Sequence, residues 1–127
     1  MNVVLDSWAV MRYLDDEGPA ADEVDALLAE GRPLMSWINL GELHYVLRRA
    51  LGEEAALATV RDVAACVEHR IPDQAMILAA ARIKADHPMA YADAFAAALA
   101  QSTGATLWTG DPELLVDDAG WEHRDLR

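Results

Sequence analysis

Asp6, Glu42, Asp93 and Asp111 are the side chains whose types and surroundings suggest chemistry. Asp6 closes the apolar run VVLD at 3–6, and Asp111 follows a second such run in ATLWTGDP at 105–112. Glu42 lies beside an apolar helical stripe of Leu40, Leu43, Leu47 and Ala50, near the start of its helix. Asp93 stands in AYADAFAAALA, where almost every neighbour is small and apolar. Each has an ordinary reading as well. Asp6 can cap the following helix, Asp111-Pro112 can open a turn, and Glu42 can be a solvated helix glutamate. Asp93 in a first turn is N-capping in character, stabilised by the helix dipole and held ionised. Brought together, the four would repel by about 3 kcal/mol per pair at ~5 Å and an effective dielectric of 20. Such a cluster takes up protons or binds hard cations, and an all-oxygen donor set suits Mg²⁺ or Mn²⁺.

The elements that must position these acids alternate between short β-rich runs and long Ala/Leu-rich stretches, which implies an α/β domain with a mostly parallel sheet. Residues 2–6 read as a strand, 7–14 as a short helix, 15–19 as a loop, and the next stretch as a helix closed by Gly31. A second strand covers 33–36. Ser36 then caps a helix to Ala50, stopped by Gly52. Ala56, Val60, Val63 and Val67 mark a helix over 53–67, and Pro72 starts another that runs to Asp86. Residues 91–101 form a helix, 105–109 a strand, and 121–126 a short final strand. In such a sheet ligands bind beyond the carboxyl ends of the strands, where Asp6 and Asp111 fall.

The 127 residues are expected to form one domain spanning 1–127, long enough for a core without covalent staples. The single cysteine, Cys66, sits among apolar neighbours and reads as a small buried hydrophobe in a reducing compartment. No run approaches the ~20 apolar residues of a membrane span, and there is no basic leader segment, so a cytoplasmic, non-membrane protein is expected. The formal charge of −12 excludes nucleic-acid binding through a general basic patch. It leaves two routes open: chemistry on nucleic acid through bound cations, or a basic protein partner.

VLDSWAV at 4–10, INLGELHYVL at 38–47, YADAFAAALA at 91–100 and TLWTGDPEL at 106–114 resemble the four signature segments of PIN-domain ribonucleases. The resemblance is nearest to the VapC-like toxins of type II toxin–antitoxin systems, and it spans essentially the whole chain in order. It implies a PIN-like three-layer α/β/α sandwich with its site at the strand C-termini. It places Asp6, Glu42, Asp93 and Asp111 as catalytic, metal-holding acids, with Ser7, Asn39 and Thr109 supporting them. One position departs: Trp8 stands where the family more often has a small residue, which bears on access to the site. The implied activity is hydrolysis of RNA phosphodiesters by a water activated on Mg²⁺ (or Mn²⁺). The implied partners are RNA and a cognate antitoxin with a basic segment. Arg12, Arg48, Arg49, Arg82 and Lys84 are candidates for contacting RNA, with surface solubility and helix ion pairs as their alternative role. Apolar helix surface beyond the needs of one core suggests a homodimer.

Other chemistries fit less well. A dehalogenase-like phosphatase needs an acid at position 8, and a phosphoreceiver domain needs a lysine after a late strand, whereas the one lysine is Lys84 in a helix. His44, His69, His87 and His123 lack paired zinc-ligand spacing. Ser7 is not in a nucleophile elbow. Trp8, Trp37, Trp108 and Trp121 read as core and interface residues. The competing reading from another class is a non-catalytic PIN-fold module that binds RNA or protein; retention of all four acids favours the enzyme.

Overall fold

The computed structural model describes residues 2–127. Five parallel strands form its sheet: β1 (Val3–Leu5), β2 (Leu34–Ser36), β3 (Glu68–Arg70), β4 (Thr106–Thr109) and β5 (Glu122–Asp125). Their order is β3-β2-β1-β4-β5. The helices are α1 (Ser7–Asp15), α2 (Gly18–Glu30), α3 (Trp37–Leu51), α4 (Glu53–Cys66), α5 (Gln74–Asp86) and α6 (Tyr91–Thr103).

Alternation along the strands divides the core between two faces. Val4, Leu34 and Leu107 pack with the buried residues of α5 and α6, whereas Leu5 and Met35 pack with those of α1 to α4. The result is a three-layer α/β/α arrangement with every strand parallel. The edge strands are short and polar, EHR and EHRD, which limits sheet-to-sheet pairing. On one face α6 is buried along its length from Asp93 to Ala100. Its alanines let it press against the sheet as longer side chains would not; overpacking such positions costs about 1–3 kcal/mol.

The topology also fixes where a site can form. The chain leaves central β1 toward β2 and β3, then returns to β1's other side with β4 and β5. Beyond the carboxyl ends of β1 and β4 connections diverge to opposite sides, leaving a crevice. Leu5 pairs with Trp108, so Asp6 and Thr109 follow side by side at that crevice.

Several expectations need correction. The segment 68–70 is a strand, β3, which its three exposed polar residues do not advertise. Its neighbour α4 ends at Cys66, and α5 begins at Gln74 with the Asp73 carboxylate accepting from the Met76 N–H, rather than at Pro72. Cys66 is exposed, not buried, because it lies on the outer side of the last turn of α4 while Val63 and Val67 face inward. Ala50 is also exposed; the buried stripe of α3 stops at Leu47, one turn before Gly52 ends the helix. The segment read as a loop at 15–19 is shorter, since α1 reaches Asp15 and α2 starts at Gly18. Among the described residues no helix is long and apolar enough to cross a membrane.

Candidate active site

Asp6 is the N-cap of α1: its Oδ1 accepts from the Ala9 N–H at 2.9 Å. Capping uses one carboxylate oxygen only, because Oδ2 is buried and makes no hydrogen bond. At 1 % exposure, Asp6 lies in the rim between β1 and β4. Burial, foremost, and the charges of Asp111 and Glu42 push its pKa up to about 7, against the lowering effects of Thr109 and the Ala9 N–H.

Asp93 occupies the first turn of α6 but does not cap it; the N-cap is Ala90, which has no side chain to do so. Nor is Asp93 held ionised in the protein without a metal. Burial raises its pKa to about 8, aided by a hydrogen bond with Asp111 that requires the proton and by the charges of Asp111, Glu42 and Asp6. The helix dipole favours the anion by only about 0.3–1 kcal/mol at an exposed end, too little to offset desolvation among three other acids. Asn39, fully buried on α3, donates from Nδ2 to the Ala92 carbonyl at 3.1 Å and so ties α3 to the first turn of α6 beside Asp93. Its Oδ1 is a second buried oxygen without a partner.

Asp111 is set by its turn. Its N–H donates to the Thr109 hydroxyl at 3.0 Å, and its Oδ1 accepts from the Glu113 N–H at 3.0 Å. The Ser7 hydroxyl donates to Glu42 Oε1, linking the start of α1 to α3. Ser7, Glu42, Asp93 and Asp111 line one cleft of about 390 Å³, with Trp8, Arg12 and Asp15 also on its wall.

Thus Asp6, Glu42, Asp93 and Asp111 converge, and Ser7, Asn39 and Thr109 touch them or their supports. Arg12 reaches the cleft. Arg48 and Arg49 do not: they lie two turns further along α3, Arg48 bonded to Glu53 at 3.2 Å and Arg49 stacked on Tyr45 at 5.1 Å. Arg82 lines a separate cleft with His87 and Trp121, and Lys84 donates to the Met89 carbonyl. Glu113 was not anticipated. One oxygen from each of Asp93, Asp111 and Glu113 lies within 4.8 Å of the others, a spacing that could hold a metal ion. Its signal was an acid two residues beyond Asp111 in GDPEL, which reads equally as part of a solvated turn.

A divalent cation fits this donor set. Asp6 Oδ2 is buried without a hydrogen-bond partner, and burial raises the proton affinity of both Asp6 and Asp93, so each would gain from a nearby positive charge. All the donors are hard oxygens.

The PIN domain profile matches residues 3–117, nearly the whole chain. The chain belongs to the PIN-domain family. Among solved structures, this PIN domain is similar to a chain of the DNA-bound VapBC from Salmonella typhimurium, at 21 % identity and TM-score 0.79, covering 100 % of this chain and 99 % of that one. It is similar to a chain of VapBC-1 from nontypeable Haemophilus influenzae at 22 % identity and TM-score 0.74, covering 99 % and 98 %. It also resembles Mycobacterium tuberculosis VapC20, a sarcin-ricin loop cleaving toxin, at 17 % identity and TM-score 0.70, covering 86 % and 89 %. At these identities the likeness establishes a shared fold. No curated protein matches the sequence.

The two raised acids dictate how stability depends on pH. Between an ordinary value of 3.8 and about 7 to 8, the folded protein holds protons on Asp6 and Asp93 that the unfolded chain has released. Stability without metal therefore falls as pH rises through that window. Thermal melts in EDTA are expected to show a lower Tm at about pH 8 than at about pH 5.5. Added Mg²⁺ should raise Tm more at the higher pH, where it need not displace protons. A flat Tm profile with no pH-dependent metal effect would count against a desolvated carboxylate cluster.

Proposed function

We propose that this PIN-domain protein is a divalent-metal-dependent endoribonuclease, acting as the toxin of a toxin–antitoxin pair. The observation that carries the proposal is the convergence of four carboxylates from β1, α3, α6 and the β4 turn, two with raised pKa and one with an orphaned oxygen. Asp6, Glu42, Asp93 and Asp111 would hold Mg²⁺ or Mn²⁺, with Glu113 in reach of the same group. The cation would supply charge neutralisation at a scissile phosphate and a water of lowered pKa.

The chain's own residues do the positioning. Ser7 orients Glu42, Asn39 fixes the first turn of α6, and the Thr109 hydroxyl together with the Glu113 N–H sets Asp111. Asp93 and Asp111 share a hydrogen bond that favours the proton on Asp93, and a cation held there would supply positive charge in that proton's place. The similarity to chains from VapBC structures and to VapC20, a sarcin-ricin loop cleaving toxin, supports this reading over a non-catalytic module. A cognate antitoxin would place a basic segment in the acidic cleft, which suits a chain of charge −12.

Cleavage of a mixed RNA pool tests the activity. Wild-type protein freed of antitoxin is expected to cleave in Mg²⁺ and to stop in EDTA, and Asp93→Asn is expected to lose at least about a hundredfold in rate. Cleavage by Asp93→Asn at the wild-type rate would overturn the assignment. A homodimer is part of the proposal, supported by exposed Tyr45, Val46 and Leu51 on α3 and Ile77 and Leu78 on α5. Light scattering at micromolar concentration should give twice the monomer mass; a monomer would remove that part.

A further inference from the structure

Trp8, the position that departs from the family pattern, occupies a built seat. Gly110 lies so close to the indole of Trp8 that a Cβ at that position would clash with its ring carbons, so glycine leaves room for the ring where it stands. Gly110 directly precedes Asp111, which roots the indole beside the carboxylates. The Arg12 guanidinium lies over the same indole, 4.8 Å from its centroid, one turn along α1. The Arg12 side chain is 42 % exposed, and its Nη1 donates to Glu17 at 3.4 Å. A guanidinium mounted on an aromatic ring is held in a fixed orientation, and the N–H groups of Arg12 not given to Glu17 suit capture of a phosphate.

The position of this pair gives it meaning. Trp8 and Arg12 line the carboxylate cleft, where Arg12 is the only basic residue on the wall among the described residues. They also line a second cleft of about 430 Å³ whose other walls include Glu17, Pro19, Ala20, Leu126 and Arg127, so that it carries one acid and a second arginine. The two clefts therefore meet at Trp8 and Arg12. A polyanion reaching the metal-holding acids needs a fixed cation beside them, or it is repelled by every carboxylate that the metal does not neutralise.

We propose that Arg12, mounted on Trp8, grips the RNA phosphate next to the scissile one and directs the adjoining nucleotide into the second cleft. This rests on the ribonuclease reading and adds the path of the strand to it. Trp8 is then the mount of Arg12 and the partition between two nucleotide positions, rather than a platform for base stacking. The Gly110–Trp8–Arg12 unit positions substrate; it takes no part in holding the metal.

The test uses the full chain and a pool of random-sequence single-stranded oligoribonucleotides in Mg²⁺, with KM and kcat measured across a salt series. Arg12→Gln is expected to raise KM about tenfold while kcat changes by less than about twofold. The slope of log(1/KM) against log salt should become shallower by roughly 0.7, the value for one lost phosphate contact on a single strand. Arg12→Lys should keep much of the slope but not the low KM, because an ammonium cannot stack and fork as a guanidinium does. Trp8→Leu should mimic Arg12→Gln. Because Trp8 also packs against the core, the surface variant Arg12→Gln decides the matter if Trp8→Leu does not fold. Wild-type KM and slope in Arg12→Gln would overturn the subsite and leave the ribonuclease reading intact, and a raised KM with an unchanged slope would overturn the phosphate contact. Wild-type protein that cleaves no RNA would overturn both.

Discussion

Everything in this structure answers one constraint: several carboxylates are held close together, partly out of water, at the carboxyl ends of two neighbouring strands. Desolvation and mutual repulsion both oppose that arrangement, and the fold resists them by anchoring each acid from a different element. Asp6 is pinned by the N–H of Ala9, Glu42 by Ser7, Asp111 by the turn through Thr109 and Glu113. Asp93 is carried on a helix buried along its length and tied to α3 through Asn39. The raised proton affinities of Asp6 and Asp93 measure the tension that remains. A bound cation would relieve it, and in doing so would bring the charge that phosphodiester chemistry needs.

The parallel topology explains why this tension can be localised. The order β3-β2-β1-β4-β5 opens a crevice beside β1, so residues more than a hundred apart in sequence, Asp6 and Asp111, meet there. The alanines of α6 allow that helix to lie close enough for Asp93 to join them. Around the mouth, charge is arranged differently from the chain average. A molecule with a formal charge of −12 sets Arg12, the one basic residue there among the described residues, on the wall of the carboxylate cleft. Net charge suits a basic partner at the cleft, whereas an anionic one depends on the local placement of that guanidinium.

Much of this was legible in the sequence because the signals were of the right kind. Apolar runs ending in an acid marked β1 and the β4 turn, and an acid in an alanine-rich helix marked Asp93. What could not be read had physical reasons. β3 consists of three exposed polar residues on a sheet edge, so it carries no alternation. Cys66 and Ala50 sit at helix ends, where one turn decides whether a residue faces the core, and periodicity blurs there. The protonation of Asp93 depends on neighbours brought in by tertiary structure, which helix-dipole reasoning does not see. The fit of Trp8 against Gly110 pairs residues about a hundred positions apart, and neither predicts the other.

The most direct test of the central claim is an anomalous-diffraction experiment on crystals of the full chain soaked in Mn²⁺. The expected result is an anomalous peak within about 2.5 Å of carboxylate oxygens from Asp93 and Asp111, near the orphaned oxygen of Asp6, and lost in Asp93→Asn. Absence of Mn²⁺ from the cleft, at a concentration that supports RNA cleavage in solution, would contradict the claim that these acids exist to hold a catalytic metal.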